Sequence, residues 1–407
     1  MERAPITTRR SVLQTALGGL GLIGSGLHSV AARADLPEGA LASQVLEALP
    51  GKQRLLKRSF RPPNYESPVA YLGEVITPND RFFVRWHLAN IPTVSADSWR
   101  LSVGGDSASN PYELTLAQLQ HEFEPVELVA VCQCAGNRRG LSDPHVPGVQ
   151  WGNGAMGNAR WKGARLKDLL ARAGLAKETV EIAFNGADGP LLEATPDFMK
   201  SIPVWKALDD NALVAYEMNG EPLPHWNGYP ARIIVPGWAA TYWMKQVVSI
   251  RALPQPLSSF WMNTAYRIPK GKFAVVDRFL SQESETTTPI TEILVNSLIT
   301  NLEPGQRFHA GAQLIVKGIA WDGGAGLRHV EISIDGGRTW QVADLGEDHG
   351  RFSARGWQFA FVPPARGRLS VAARATNAQG TTQAEQLIFN PAGYHNNVIQ
   401  PITVEIV

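Results

Sequence analysis

Residues 131–140 are Val-Cys-Gln-Cys-Ala-Gly-Asn-Arg-Arg-Gly, and this stretch contains the only two cysteines of the 407-residue chain, Cys132 and Cys134. The preceding residues 126–131 are typical of a strand, in which positions i and i+2 point to the same face and have poor geometry for a disulfide. Burial as a small apolar side chain is one interpretation of each thiol. Binding of a thiolate to a soft, redox-active metal is the other.

Two further kinds of metal site are disfavoured by the same stretch. Two cysteines at this spacing without a nearby histidine pair do not predict zinc. The chain also contains no Cys-x-x-Cys-His motif for covalent haem attachment. A redox-active metal is therefore the functional alternative to simple burial of the thiols.

The composition of the whole chain indicates a compact protein that is long enough for two domains. It is 44% hydrophobic and 18% charged, with 38 glycines, 28 prolines and 12 tryptophans, which favours strands and turns over a helical bundle. A disordered or fibrous protein is excluded on the same grounds. The formal net charge is only +1, so the sequence lacks the strongly basic balance that nucleic-acid binding needs.

Residues 1–34 have the pattern of a targeting segment and are expected to lie outside the fold. Arg9 and Arg10 precede the apolar run 16–27, and small residues at 32–34 suit a cleavage site. The paired arginines favour twin-arginine export of an already folded protein, and an ordinary Sec signal is the alternative. No later stretch reaches about 18 apolar residues, so we expect a periplasmic protein without a membrane span after cleavage.

Several motifs together give the chain a specific resemblance to the sulfite oxidase family. The stretch 131–140 is similar to the family's Cys-Ala/Ser-Gly-Asn-x-Arg signature, whose cysteine ligates molybdenum, and Cys134 occupies that position. Further similar fragments follow in the family's order: 83–87, 151–164, 215–224, 227–232, 242–245 and 261–266 in a first domain, and 317–324 and 335–340 in a second. The resemblance spans about residues 50–400, nearly the whole chain without its targeting segment.

The resemblance implies an α+β protein with two folded domains. The first, at 35–285, would be a mixed α+β molybdopterin-binding domain of the sulfite oxidase type. The second, at 286–407, would be an immunoglobulin-like β-sandwich of the dimerisation type. A boundary near residues 281–288 agrees with a polar stretch that lacks hydrophobic periodicity.

Local patterns in both domains agree with this expectation. Residues 165–173 predict a helix that ends at Gly174 and has four apolar residues on one face. These are Leu166, Leu169, Leu170 and Ala173. In the second domain, residues 330–334 alternate between apolar and other side chains, and Asp-Gly-Gly at 335–337 predicts a turn into a strand at 339–342.

The resemblance implies oxidation of sulfite to sulfate at a molybdenum-molybdopterin cofactor. This reaction transfers an oxygen atom and two electrons, and because no side chain accepts two electrons, a cofactor must do so. The sequence shows no counterpart of the b-type haem module of the animal relatives. We therefore expect the electrons to pass to a c-type cytochrome, and the chain to form either a homodimer or a complex with a cytochrome subunit.

Other functions are compatible with parts of the sequence. A sulfane dehydrogenase of the same fold would act on a protein-bound sulfur, and a non-catalytic exported β-sandwich protein would bind no molybdenum. A methionine sulfoxide reductase of the same fold is disfavoured, because that enzyme lacks the second domain. Metal analysis separates the enzymes from the binding protein, and turnover of free sulfite separates the two dehydrogenases.

The family motifs predict nine site residues. The predicted catalytic residues are Arg85, Arg139 and Tyr266, and the predicted cofactor-binding residues are His87, Cys134, Asp188, Asn227, Arg232 and Lys245, with Cys134 as the metal ligand. Arginine suits an oxyanion pocket, because its planar fork binds two oxygens at once and stays charged. Arg138 is instead interpreted as a solvated surface charge, and neither His145 nor Arg328 is assigned a role.

Replacing Arg9 and Arg10 together by lysine tests the export route. We expect the precursor to accumulate in the cytoplasm, because the paired arginines are the feature that the twin-arginine receptor reads. Cell fractionation with immunodetection measures this, and an Arg3→Lys variant serves as the control. Normal export of the double variant would indicate the Sec route.

Overall fold

A computed structural model describes residues 45–273, 279, 282, 284–363 and 365–407 of the protein. The predicted targeting segment 1–34 and residue 281, at the start of the predicted domain boundary, lie outside the described residues. Among the residues that are described, no helix is long and apolar enough to cross a membrane. Strands dominate throughout, and the helices are short.

The first part of the described chain forms four sheets with short helices packed between them. Its strands are β1 (Leu46–Ala48), β2 (Arg54–Ser59), β3 (Asn64–Glu66), β4 (Val84–Arg85), β5 (Leu101–Gly104), β6 (Tyr112–Leu114), β7 (Pro125–Gln133), β8 (Met156–Arg165), β9 (Glu181–Gly186), β10 (Met199–Pro203), β11 (Leu213–Met218), β12 (Glu221–Pro222), β13 (Arg232–Ile234), β14 (Val247–Leu253), β15 (Arg267–Pro269) and β16 (Thr287–Pro289). Its helices are α1 (Leu116–His121), α2 (Leu166–Ala173), α3 (Val204–Ala207) and α4 (Phe260–Asn263). The sheet orders are β1-β2-β3-β4, β10-β9-β14-β5-β6, β12-β11-β8-β7 with β13 on β11, and β15-β16.

The helix predicted at 165–173 is confirmed as α2. Its buried residues are Leu166, Leu169, Leu170 and Ala173, as the pattern predicts. Gly174 follows the helix with φ +67°, a left-handed conformation that glycine adopts without steric cost and that ends the helix. Arg165, the first residue of the predicted helix, is still the last residue of β8.

The strand that leads to the cysteines is also confirmed, as β7. Its antiparallel partner β8 places Gly157 opposite Cys132. A Cβ atom on Gly157 would lie 2.4 Å from the ring of Phe82, so only glycine lets this buried ring pack directly against the sheet. The end of β7 is thereby fixed over a close-packed core.

The second part of the described chain is a two-sheet β-sandwich. Its strands are β17 (Asn296–Ile299), β18 (Arg307–Phe308), β19 (Leu314–Trp321), β20 (Leu327–Ser333), β21 (Gln341–Val342), β22 (Asp344–Leu345), β23 (Arg355–Phe361), β24 (Gly367–Asn377) and β25 (Ile402–Ile406). They form the sheets β17-β19-β23-β22 and β18-β25-β24-β20-β21. Buried residues such as Val316, Val330, Ile332 and Trp357 fill the space between the sheets. The position of the domain boundary within 281–288 stays a prediction.

The turn predicted at 335–337 is confirmed, and its chemistry is local. The Asp335 carboxylate accepts hydrogen bonds from the backbone N–H groups of Arg338 and Thr339 and from the Thr339 hydroxyl. These bonds hold the pKa of Asp335 well below its ordinary range. Gly336 and Gly337 both have positive φ, and the next strand begins at Gln341, two residues later than predicted.

The interpretation of Arg138 as a solvated surface charge is wrong. Its side chain is 2% exposed and reaches from the cysteine loop into the second part of the chain. There it donates to Asn296 Oδ1 at 2.7 Å and to the carbonyl of Val398. Burial lowers its pKa to about 9, and its partners are neutral groups. Arg138 therefore ties the cysteine loop to the β-sandwich.

Gly157→Ala tests the packing beneath the cysteines. We expect the free energy of unfolding to fall by about 1–3 kcal/mol, because the added methyl group overpacks the core at Phe82. Gly189→Ala is the matched control, since a Cβ there would meet nothing within 4 Å, and it should change stability by less than about 0.5 kcal/mol. Equal melting temperatures for the two variants would contradict the assigned role of Gly157.

Candidate active site

A cavity lies beside the ends of β4, β7 and β13. Its lining residues are Phe82, Phe83, Arg85, His87, Cys132, Cys134, Ala135, Trp226, Asn227, Arg232, Ala240, Thr241, Lys245 and Tyr266. Seven of the nine predicted site residues are in this set, and Asp188 and Arg139 are not. The cavity is therefore the candidate active site.

The two cysteines face the cavity in different surroundings. Both thiols are free, and Cys132 is 2% exposed whereas Cys134 is 7% exposed. Arg232 Nη2 lies 3.8 Å from the Cys132 sulfur, and burial raises the pKa of this thiol. The Cys134 sulfur has no hydrogen-bond partner among the described residues, and its backbone is fixed by the Cys134 N–H to Ala155 O bond at 2.9 Å.

Arg85 and Tyr266 meet on the wall of the cavity although they are 181 residues apart. Arg85 Nη1 donates to Asn64 Oδ1 at 3.1 Å, and Nη2 lies 3.5 Å from the Tyr266 hydroxyl. Because β3 pairs with β4, Asn64 lies opposite Arg85 in the sheet and orients its guanidinium. Burial raises the pKa of Tyr266 above its ordinary value of 10.0, so this phenol keeps its proton at neutral pH.

His87 is the third residue of this cluster and contacts the Tyr266 phenol. Its ring stacks on Phe198 with 3.5 Å between ring centroids, and its Nε2 shares a hydrogen bond with the Tyr266 hydroxyl. Burial, aided by nearby cations, holds the pKa of His87 well below its ordinary value of 6.5. The ring is therefore neutral, and its buried Nδ1 has no hydrogen-bond partner among the described residues.

Arg232 and Lys245 also line the cavity. Arg232 is 3% exposed and donates to the carbonyls of Asn227 at 2.9 Å and Trp243 at 3.2 Å. The Lys245 ammonium lies 4.5 Å from the centroid of the Trp86 ring. Burial, and then the charge of Arg232, lowers the pKa of Lys245 to about 7. The charge of Asp188 opposes this lowering of the Lys245 pKa but does not cancel it.

Lys52 is a residue of this region that the sequence did not predict. It is 8% exposed and donates to Asn227 Oδ1 and to the Asn79 carbonyl, both at 2.5 Å. Asn227 Nδ2 in turn donates to Phe83 O at 3.1 Å, so the predicted cofactor residue Asn227 is held on both sides of its amide. Burial lowers the pKa of Lys52 to about 7. In the sequence this lysine resembles any other charge of the basic stretch 52–61.

The two remaining predicted residues lie behind the lining. Asp188 is 5% exposed, and burial raises its pKa to about 6, an effect that the charge of Lys245 opposes. Arg139 is 8% exposed and donates to Ala392 O at 2.7 Å and Val149 O at 3.1 Å. Its guanidinium packs on Gly136, where a Cβ would lie 2.6 Å away. Its predicted contact with substrate stays a prediction.

The chemistry of the donors fits a metal that is carried by an anionic organic cofactor. No group of three or more His, Cys, Asp or Glu side chains able to hold a metal occurs in the described part of the chain, so a metal here must bring most of its ligands. Cys134 offers one soft sulfur donor. The cations Arg85, Arg232 and Lys245 face the cavity without a lining carboxylate, and buried Arg232 Nε and His87 Nδ1 lack partners among the described residues.

Comparison with known proteins gives the family. The model of the oxidoreductase molybdopterin binding domain matches residues 87–261, and that of the Mo-co oxidoreductase dimerisation domain matches residues 287–406. Human mitochondrial sulfite oxidase is 35% identical over 363 residues, covering 86% of this chain and 65% of that protein. Sulfite oxidase of Gallus gallus is 36% identical over 343 residues, covering 81% of this chain and 72% of that protein. The chain belongs to the sulfite oxidase family.

The fold of this sulfite oxidase family member agrees with a solved structure. The sulfane dehydrogenase SoxCD from Paracoccus pantotrophus is similar with a TM-score of 0.73 at 24% identity, covering 94% of this chain and 93% of that one. The predicted fold class is confirmed, with sheets more prominent and helices shorter than an even α+β mixture. The predicted molybdenum-molybdopterin cofactor is confirmed by the family. The chain spans less than two thirds, 65%, of the human protein.

The two cysteines give a sharp test of the metal ligand. We expect Cys134→Ser to lower both molybdenum content and activity to background, because a hydroxyl is a harder and poorer donor than a thiolate. Cys132→Ser is the matched control and should retain both, since its sulfur packs on Arg232 as a buried thiol. Molybdenum per chain is measured by elemental analysis alongside activity. Equal metal content and equal activity in the two variants would contradict the assignment of Cys134 as the ligand.

Proposed function

We propose that this protein oxidises sulfite to sulfate and passes the electrons to a c-type cytochrome in the periplasm. The observation that carries the proposal is the cavity itself, in which the Cys134 thiol lies near the Arg85–Tyr266 pair and three cations face inward without a carboxylate. Such a lining favours a small oxyanion together with an anionic cofactor. The sequence relatives named sulfite oxidase agree with this substrate.

Each residue of the Arg85 cluster has a separate task in this reaction. When bound, the molybdenum cofactor supplies the two-electron acceptance and oxygen transfer that side chains lack. Arg85 binds the sulfite oxygens through its planar fork, and its orientation is already set by Asn64. Tyr266 keeps its proton at neutral pH and donates a hydrogen bond to the anion.

His87 holds the position of that proton. Its neutral ring is bonded through Nε2 to the Tyr266 hydroxyl. With the ring proton on Nε2, His87 donates to the phenol oxygen and leaves the phenol proton free to point at the anion. Arg232 and Lys245 line the same cavity and would hold the anionic groups of the cofactor. Cys134 would hold its metal.

The route of the electrons and the assembly are part of the proposal. A c-type cytochrome is the proposed acceptor, because the cavity residues offer no second redox group to accept the electrons. The family of the β-sandwich is named for dimerisation, and we propose self-association through it. Reduction of a c-type cytochrome after addition of sulfite, and the native mass of the purified protein, test these two points.

Arg85→Gln tests the substrate assignment. It preserves polarity but removes the charged fork, and charge-assisted hydrogen bonds contribute roughly 1.5–3 kcal/mol each, so KM for sulfite should rise at least about tenfold. The loss should appear mainly as a higher KM and not as a lower kcat, because the anion is charged in both the ground state and the transition state. The measurement is steady-state sulfite kinetics with a c-type cytochrome, normalised to molybdenum per chain.

Arg54→Gln is the matched control, since Arg54 is an exposed arginine of β2 and its loss should leave KM unchanged. Arg139→Gln in the same series tests the predicted substrate contact of Arg139, which an unchanged KM with full metal content would contradict. If the metal-loaded wild-type protein did not turn over free sulfite, the proposal would be refuted and a sulfane substrate would be favoured.

A further inference from the structure

A segment of the β-sandwich domain, residues 390–398, packs against the candidate active site. Its Ala392 carbonyl accepts from Arg139, and Asn396 Nδ2 donates to the Arg138 carbonyl at 3.1 Å. Between these two contacts, the ring of Tyr394 reaches Tyr266. Tyr394 itself is not among the residues that line the cavity.

We propose that Tyr394 is a positioning residue that holds Tyr266 in its reactive orientation, so that the β-sandwich domain supplies part of the active site. The proposal rests on the proposed function of Tyr266 in sulfite oxidation. Its first support is parallel stacking of the two phenol rings, with centroids 5.6 Å apart and an angle of 9° between planes. Such an aromatic pair fixes the plane of each ring.

The backbone of Tyr266 shows why such support is needed. Its φ of +59° lies in the left-handed region, which bulky side chains rarely adopt and which persists only where the surroundings enforce it. The Tyr266 carbonyl accepts from the Ile290 N–H at 2.9 Å. Its hydroxyl has the loose 3.5 Å contact with Arg85 and the bond to His87, and the Lys200 ammonium lies 5.0 Å from the centroid of its ring. The ring of Tyr394 adds the stacked aromatic contact that sets the plane of the Tyr266 ring.

Tyr394 is itself rigidly placed, as a positioning residue must be. Asn390 clamps its backbone, accepting from the Tyr394 N–H at 3.0 Å and donating to the Tyr394 carbonyl at 2.8 Å. The guanidinium of Arg139 packs against its ring, 5.3 Å from the centroid. Gly393 has φ +60°, and a Cβ there would lie 2.8 Å from Arg139 Cγ, so glycine is what lets the segment approach this closely.

The electrostatics of the two phenols agree with direct contact. Burial raises the pKa of Tyr394 above its ordinary value of 10.0, and a negative charge on the adjacent Tyr266 phenol would raise it further. Both rings therefore stay protonated and neutral when stacked.

The kinetic test distinguishes the effect of the Tyr394 ring on turnover from the effect of its hydroxyl and from that of general packing. Tyr394→Leu should lower kcat for sulfite about fivefold with little change in KM, whereas Tyr394→Phe keeps the stacked ring and should stay within about twofold of wild type. In a Tyr266→Phe background, Tyr394→Leu should have no further effect on kcat, since the hydroxyl that it positions is gone. Asn396→Ala, which loosens the same domain contact without touching Tyr266, is the control and should retain kcat.

A second measurement does not depend on turnover. In the molybdenum-loaded protein labelled with 3-fluorotyrosine, the ¹⁹F line of Tyr266, assigned by its loss in Tyr266→Phe, should be single and narrow in wild type, Tyr394→Phe and Asn396→Ala. It should broaden or split in Tyr394→Leu. A narrow line in the leucine variant, or an equal loss of kcat from Tyr394→Leu in both backgrounds, would overturn the proposal. If wild type did not oxidise sulfite, the proposed function would fail while the ¹⁹F line would still decide the role of Tyr394.

Discussion

Positive charge held in a buried cavity without a carboxylate is the constraint on which the site depends. Burial lowers the pKa of Lys245 to about 7, so the folded protein disfavours its charged form. Without a bound anion, this lysine lowers stability fully below pH 7, and the cost disappears as the pH rises to the ordinary lysine pKa. Arg232 stays charged beside it. A bound anion removes the cost, so affinity for an anionic cofactor and reduced stability without it have the same physical origin.

The protein fixes the position of the metal ligand with its own hydrogen bonds. Glu66 is 2% exposed and accepts the backbone N–H groups of Gly152 and Gly154, each at 2.8 Å. Glu66 thereby fixes the residues that lead into β8. The next residue, Ala155, accepts the Cys134 N–H through its carbonyl. Asn137 Oδ1 accepts the Ala155 N–H at 3.0 Å. The Cys134 loop is therefore bonded on both sides, and its thiol is preorganised for the cofactor.

The structural elements that the sequence predicted correctly are those specified by short-range patterns. The helix α2, the strand β7 and the Asp335 turn are specified by neighbours within a few residues, and the cavity residues were found because family motifs mark them. Arg138 and Lys52 could not be found in this way. Their partners Asn296 and Asn227 are 158 and 175 residues away, and both side chains are buried cations bonded to neutral oxygens. A sequence pattern identifies a buried cation mainly through an acid a few residues away, whereas the acid whose charge acts on Lys52, Asp80, is distant in the sequence.

The same limit explains why the β-sandwich could be predicted as a domain but not as part of the site. In the loop 321–328, which received no assigned role, Asp322 Oδ1 accepts the N–H groups of Gly324 and Gly326, and Arg328 is exposed. The residue of the sandwich that reaches the site is Tyr394, whose ring stacks on Tyr266. The lining cations then all come from the first domain, which concentrates recognition of the anion there. The second domain acts on the reaction through the orientation of one phenol, so a change in how the domains pack should alter turnover more than affinity.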